Sequence, residues 1–138
     1  MKIAALTATM IVHMIRLSPG DDVKLKLEEF VQERKMEAAL IVSSVGSLTD
    51  AELRYAAQGK TTKLKGPFEV VSLSGTLSAS GGSHVHISIS DGAGKTLGGH
   101  LMPGNKVYTT IEIGIGELKD KAFKREHDPK SGYEELKI

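Results

Sequence analysis

The stretch His84-Val85-His86-Ile87-Ser88-Ile89-Ser90-Asp91-Gly92-Ala93-Gly94 decides the fold. Its first seven residues alternate between polar and apolar side chains without an exception, which predicts a strand with one apolar face and one polar face. The next four residues are typical of a tight hairpin turn. The sequence therefore predicts two neighbouring antiparallel strands, the second of which covers residues 97–102.

Several other stretches are predicted to be strands because their side chains alternate or form short apolar runs between turn residues. They cover residues 11–17, 38–46, 50–56, 68–78 and 107–115. Within the stretch 68–78, we expect Val71, Leu73 and Leu77 to face the core and the serines to face the other side. Residues 1–10 are an extension or the start of the first strand, and residues 11–138 form one domain.

A single helix precedes most of these strands. Residues 18–22 form a turn in which Asp21 is the expected N-cap, while Asp22 suits the positive end of the helix dipole. Apolar residues at helical spacing then predict an amphipathic helix of about 14 residues that ends near Met36. One early helix and a succession of strands indicate an α+β fold with a single, mostly antiparallel sheet of about six to seven strands.

Composition excludes several classes of protein. The chain has 138 residues with a net charge of +1, so binding of nucleic acid by bulk electrostatics is not expected. It has no cysteine, which excludes disulfide scaffolds and thiolate metal sites. No apolar run reaches the roughly 18–20 residues that span a bilayer. The short apolar stretch within residues 1–10 is a weak match to a signal peptide, so we expect a cytoplasmic protein.

The histidines provide the strongest functional signal. His84 and His86 are two residues apart, so both side chains leave the same face of the predicted strand. If residues 92–94 form a three-residue loop, His86 lies directly opposite His100. A four-residue loop would instead send His100 to the apolar face. The polar character of the set favours the first register.

Three neutral histidines with one open position form the arrangement in which zinc polarises a water molecule. His84, His86 and His100 are therefore candidate ligands of zinc or a similar divalent metal, although solvated histidines on a wet sheet face would give the same pattern. Glu112, on the last long strand, could be a fourth ligand, an orienting group or a general base, or a surface glutamate. Arg54 could bind an anion or be a solvated rim residue. No further acid, base or nucleophile accompanies them, so the sequence indicates a site but no reaction.

Several separated motifs, in this order along the chain, resemble the PPC domain, the "plants and prokaryotes conserved" domain, a domain of unknown function. They lie at residues 16–22, 47–48, 53–56, 66–77, 84–91, 98–101, 107–113, 123–126 and 132–136. The resemblance implies an α+β fold, a homotrimer and, as in some prokaryotic members, a metal held by histidines that match His84, His86 and His100. The chain resembles the free-standing form of the family, and we expect it to be that form.

The land-plant members suggest a second function. There the domain follows an AT-hook that binds DNA, and it mediates trimer formation and contacts with nuclear proteins. The plant motif Gly-Arg-Phe-Glu-Ile-Leu matches residues 66–71, but Pro67 replaces its arginine, and the chain contains no AT-hook. Two hypotheses follow: a trimeric metal-binding module with a small-ligand or hydrolytic role, or a trimeric protein-interaction scaffold, nuclear in location and associated with DNA through partners.

Overall fold

One helix and two antiparallel sheets make up the part of the chain that the structure, a computed structural model, describes, which is residues 3–138. In chain order the elements are β1 (Met10–Leu17), α1 (Val23–Glu33), β2 (Ala39–Arg54), β3 (Thr62–Ser78), β4 (Gly82–Ser90), β5 (Thr96–Leu101), β6 (Lys106–Leu118), β7 (Lys124–Asp128) and β8 (Tyr133–Lys137). The main sheet has six strands in the order β1-β6-β2-β3-β4-β5, and β7 pairs with β8. The predicted α+β fold with one helix and one main antiparallel sheet is confirmed.

The core lies between α1 and one face of the main sheet. The helix buries Val23, Leu27 and Val31. Strand β4 buries a second set, which consists of Val85, Ile87 and Ile89. Because side chains alternate along a strand, the intervening residues of β4 point away from the helix. This packing fixes the outer face of the sheet as the place where the histidines of β4 must lie.

Asp22, not Asp21, is the N-cap of α1. Its Oδ1 accepts a hydrogen bond from the backbone N–H of Leu25 at 3.2 Å, while its Oδ2 accepts one from the N–H of Gly104 at 2.7 Å. Asp21 instead accepts a hydrogen bond from the backbone N–H of Ser18. The helix is also shorter than predicted, because it ends at Glu33 and Lys35 then takes a left-handed backbone conformation with φ of 53°.

The two strands predicted at residues 38–46 and 50–56 are one strand, β2. Its pairing with β6 shifts register between Ile41 and Ser43, and its pairings with both neighbours shift again between Leu48 and Asp50. Such bulges let a strand bend without ending. They also interrupt the alternation of side chains, which is why the sequence pattern suggested two elements.

A bulge also overturns the prediction for Val71. The pairing of β3 with β4 shifts register between Val70 and Ser72, so the face of the strand changes at this point. Val70 is buried with 7% of its surface exposed, whereas Val71 is 56% exposed. Leu73 and Leu77 are buried as predicted.

The C-terminal region forms a hairpin that the sequence analysis treated only as a polar segment. Strands β7 and β8 pair in register from Lys124 opposite Lys137 to Asp128 opposite Tyr133. Arg125 connects this small sheet to the main one, because its Nη2 donates a hydrogen bond to Thr76 Oγ1 of β3 at 3.2 Å. The hairpin thus lies beside the outer face of β3 and β4.

At the other end of the chain, β1 begins at Met10, and residues 3–9 contain no strand or helix. Met1 and Lys2 lie outside the described residues, and so does that part of the predicted N-terminal extension. Within the described residues, the single helix α1 is far too short to cross a membrane.

Candidate metal centre

The β4–β5 hairpin sets the geometry of the candidate site. The backbone N–H of Asp91 donates to the carbonyl of Lys95 at 3.0 Å, so the loop contains three residues, as predicted. Asp91 Oδ1 accepts hydrogen bonds from the N–H groups of Ala93 and Lys95, both at 2.9 Å. Gly94 has a φ of 79°, a left-handed conformation that glycine adopts at little cost. This register places His86 directly opposite His100.

His84, His86 and His100 come together on the outer face of the sheet. One ring nitrogen from each lies within 4.8 Å of the others. The ring centroids are 4.5 Å apart for His86 and His100, 5.0 Å for His84 and His86, and 5.5 Å for His84 and His100. The predicted convergence of the three rings is therefore present within one chain.

The donor set fits a zinc-like ion. Zinc binds imidazole at about 2.0–2.1 Å in a tetrahedral arrangement, so its ligand nitrogens lie roughly 3.4 Å from one another. The three nitrogens now lie within 4.8 Å of one another, and small rotations of the rings would bring them to the spacing that zinc requires. Across residues 3–138, none of the three rings donates or accepts a hydrogen bond to another side chain or to the backbone, so their nitrogens are available to a ligand. Three imidazoles leave one position of a tetrahedral ion open.

The local electrostatics favour neutral imidazoles, which is the form that binds metal. Burial lowers the pKa of His84, and the charges of His86 and Arg125 lower it further, while the Glu135 carboxylate raises it. Burial also lowers the pKa of His100, assisted by the charge of Arg54. These two rings therefore stay unprotonated to a lower pH than an ordinary histidine.

Gly98 and Gly99, next to His100, allow close packing of neighbouring backbones. A Cβ at Gly98 would lie 2.6 Å from the carbonyl oxygen of Ile87, and a Cβ at Gly99 would lie 2.6 Å from that of Arg54. The glycines let β5 approach the backbones of β4 and β2 closely. Of the two explanations that the sequence allowed, room for a ligand or room for another backbone, the structure shows the second.

Glu112 does not join the histidines within the chain. It lies on β6, opposite Arg16 of β1 and Val45 of β2, and it is exposed. Other charged residues surround the cluster instead. Arg54 lies directly opposite His100 in the β2–β5 pairing, and Arg125 approaches His84 from the β7–β8 hairpin.

Sequence reasoning did not assign Arg125 or Glu135 to the site. Both lie in the C-terminal segment, and their proximity to β4 depends on how a separate hairpin docks. The sequence offered only one signal for them, the presence of charged residues in two short alternating stretches.

The fold and the histidine cluster together define a class of small α+β domain with a candidate metal centre. The family model of the Plants and Prokaryotes Conserved (PCC) domain matches residues 6–119. The chain belongs to this family, which is the PPC domain that the sequence motifs resembled.

Curated relatives include much longer proteins. The chain is 41% identical over 132 residues to the bifunctional protein GlmU of Synechococcus sp. (strain JA-3-3Ab), with 96% of this chain and 21% of the relative covered. It is 34% identical over 108 residues to AT-hook motif nuclear-localized protein 14 of Arabidopsis thaliana, with 72% of this chain and 26% of the relative covered. The chain thus spans about a fifth to a quarter of these relatives.

Solved structures confirm the architecture. A hypothetical protein from Salmonella has a TM-score of 0.93 and 48% sequence identity, with 96% of this chain and 95% of the other covered. A metal-containing protein from Archaeoglobus fulgidus has a TM-score of 0.82 and 28% identity, with both chains fully covered.

Proposed function

We propose that this PCC-family domain binds a divalent metal, zinc or a similar ion, through His84, His86 and His100. The observation that carries the proposal is the convergence of three ring nitrogens within 4.8 Å on an accessible sheet face. The metal-containing relative from Archaeoglobus fulgidus supports it through the shared fold. The open fourth position supports the further proposal of a small-ligand or hydrolytic role.

The metal and the protein would have different roles at this site. Zinc in such a site supplies Lewis-acid chemistry, which lowers the pKa of water and polarises a carbonyl or phosphoryl oxygen. The chain's own residues hold the ion, keep two of the imidazoles neutral through burial and nearby positive charge, and leave one side of the cluster open. The Glu135 carboxylate acts in the opposite direction, because it raises the pKa of His84.

Elemental analysis tests the metal site. We would purify the protein without a His tag and without chelators, then measure metal by inductively coupled plasma mass spectrometry. We expect close to one zinc or similar ion per chain, and loss of that ion in the double variant His84→Ala/His86→Ala. The matched control is His127→Ala, since His127 lies on β7 and is 62% exposed. Metal-free wild-type protein that also fails to take up added zinc would overturn the proposal.

We also propose that the chain forms a homotrimer. The outer face of β1 and β2 exposes a row of apolar side chains, the outer apolar patch, which consists of Met10, Val12, Met14, Val42 and Val45. Met14 and Val45 are 66% and 61% exposed. Apolar side chains gathered on one sheet face are typical of a protein interface.

A mass measurement tests the trimer. Light scattering coupled to size-exclusion chromatography should give three times the mass of the chain, and Val45→Lys should reduce the mass because it places a charge within the outer apolar patch. Lys63→Glu, a change on the exposed part of β3, is the control. A wild-type monomer at the highest concentrations tested would refute this assembly.

The alternative function is a protein-interaction scaffold without catalysis. It is favoured by the similarity to an AT-hook motif nuclear-localized protein, which would place the chain near DNA through partners. Under this alternative, the double histidine variant should retain its oligomeric state and its partners. A cytoplasmic location stays our prediction, and imaging of the tagged protein in its native cell tests it.

A further inference from the structure

Arg54 lies beside the histidine cluster on the same side of the sheet. It is directly opposite His100 in the short β2–β5 pairing, and opposite residues of an antiparallel pair project their side chains from one face. Arg54 is half-buried as a residue, and its guanidinium donates through Nη1 to the carbonyl of Gln58 at 3.4 Å, a long and exposed hydrogen bond. Since a guanidinium has five N–H donors, most of its donor capacity remains for another group.

Arg125 approaches the cluster from the opposite side. Its Nη2 donates to Thr76 Oγ1 at 3.2 Å, and Thr76 lies directly opposite His84 in the β3–β4 pairing. Its Nη1 donates to the carbonyl of Glu134 at 3.4 Å. These two contacts hold the guanidinium at the β4 side of the cluster, so Arg54 and Arg125 lie on either side of the three rings.

The chain offsets only part of the positive charge at this site. In the described part of the molecule, neither Arg54 nor Arg125 has a carboxylate oxygen within 4.0 Å. Two guanidinium groups and a divalent ion would bring four positive charges to the site, and Glu135, the acidic group near His84, offsets one of them. A site with this excess of charge and one open metal position calls for an anionic ligand.

We propose that the site takes an oxyanion, a phosphate or carboxylate group of a small molecule, and that Arg54 and Arg125 bind its oxygen atoms from two sides. The inference deepens the proposed metal function and rests on it. The oxyanion occupies the open position next to the three histidines, and the two arginines supply hydrogen bonds and charge. Arginine suits this task because its planar fork matches the geometry of phosphate and carboxylate oxygens.

The test uses cobalt(II) in place of zinc, since its visible absorption reports both metal loading and a change of ligand. Wild-type protein loaded with cobalt(II) is titrated in separate arms with sodium phosphate and sodium acetate. We expect the spectrum to change and saturate in at least one arm. A change with phosphate alone assigns a phosphoryl ligand, a change with acetate alone assigns a carboxylate ligand, and a change with both assigns a general oxyanion site.

The arginine variants then separate the two proposals. Arg54→Gln and Arg125→Gln should still load fully with cobalt(II) at about pH 8, where imidazoles are neutral without the help of these charges. They should bind the anion about tenfold or more weakly, because each loses a charge-assisted hydrogen bond. Arg54→Lys keeps the charge and should recover part of the affinity. Arg16→Gln, on the far strand β1, is the control and should bind the anion normally.

Three results would overturn the inference. If cobalt(II) binds but neither anion changes the spectrum, the metal site stands and the oxyanion site falls. The same holds if Arg54→Gln and Arg125→Gln, shown to be folded by circular dichroism, bind the anion as tightly as wild type. If wild-type protein binds no cobalt(II) or zinc, the proposed function itself fails, and this inference fails with it.

Discussion

His86 of β4 lies directly opposite His100 of β5, and the centroids of their rings are 4.5 Å apart. The pairing continues to Ser90 opposite Thr96 without a shift of register, so the three-residue loop determines which residues meet. A shift of one residue would move His100 to the other face of the sheet. The short loop therefore determines the geometry of the candidate metal site, although it contributes none of the three histidines.

The stability of the chain should depend on glycine at one position of this loop, Gly94. Gly94→Ala places a Cβ on a residue with φ of 79°, so we expect a loss of about 1 kcal/mol in the free energy of unfolding. Gly92→Ala is the matched control, because Gly92 lies in the same loop with open space around it and no positive φ. Urea denaturation of both variants measures the difference, and equal stabilities would contradict the assigned register.

Metal should stabilise the folded chain. A ligand that binds only the folded state contributes about 2.7 kcal/mol when its concentration is one hundred times its dissociation constant. For a domain of this size we expect the melting temperature to rise by roughly 10 °C with saturating zinc. His100→Ala should abolish most of this rise, whereas His127→Ala should keep it. Differential scanning calorimetry provides the measurement, and an equal rise in both variants would argue against the three-histidine site.

The pair His13–Glu117 predicts a pH dependence of stability. A hydrogen bond of 2.9 Å from His13 lowers the pKa of Glu117 below its ordinary value of 4.5, and Lys119 lowers it further. Because the folded state then binds fewer protons than the unfolded state, the stabilisation is present above about pH 4.5 and is lost as the pH falls through the lower pKa of the folded chain. This contribution is thus an acid-sensitive one.

Glu117→Gln tests that contribution. It should reduce the free energy of unfolding by about 1 kcal/mol at neutral pH, and by less at pH 3. Glu126→Gln is the control, since Glu126 and its partner Lys137 are both more than half exposed, and we expect a change of only a few tenths of a kcal/mol. Urea titrations at both pH values measure the free energies of unfolding. Equal changes in the two variants at both pH values would contradict the stabilising role of the His13–Glu117 pair.

The bulge in β3 predicts opposite outcomes for two adjacent valines. Val70→Ala removes buried methyl groups from the core and should cost roughly 2 kcal/mol. Val71→Ala truncates an exposed side chain and should change the free energy of unfolding by less than about 0.5 kcal/mol. Denaturant titrations compare the two, and a larger effect at Val71 would place the bulge elsewhere.

Much of the fold was predictable where the side chains alternate regularly. Val85, Ile87 and Ile89 determined one face of β4, and Gly94 indicated the loop that set the hairpin register. The bulges of β2 and β3 were not predictable, because a bulge changes the side-chain pattern in the same way as a strand end or an irregular alternation. The N-cap was misplaced by one residue, since Asp21 and Asp22 both have the right chemistry. Asp22 is distinguished by its hydrogen bonds from the N–H groups of Leu25 and of Gly104, which is distant in the sequence.

The candidate site was likewise predictable in part. His84, His86 and His100 could be predicted because they lie on two strands joined by a short loop. The surroundings of the cluster could not, because Arg54 meets His100 through a pairing between β2 and β5, strands far apart in the chain, and Arg125 arrives on a separate hairpin. Local patterns do not carry information about such distant contacts.

Arg125 belongs to the β7–β8 hairpin, whereas the three histidines belong to the main sheet. One of the two arginines proposed to bind the ligand is thus built on a different scaffold from the histidines, while the other, Arg54, shares the main sheet with them. Changes in the length or charge of that hairpin should therefore alter which molecule the site accepts while leaving the three imidazoles in place.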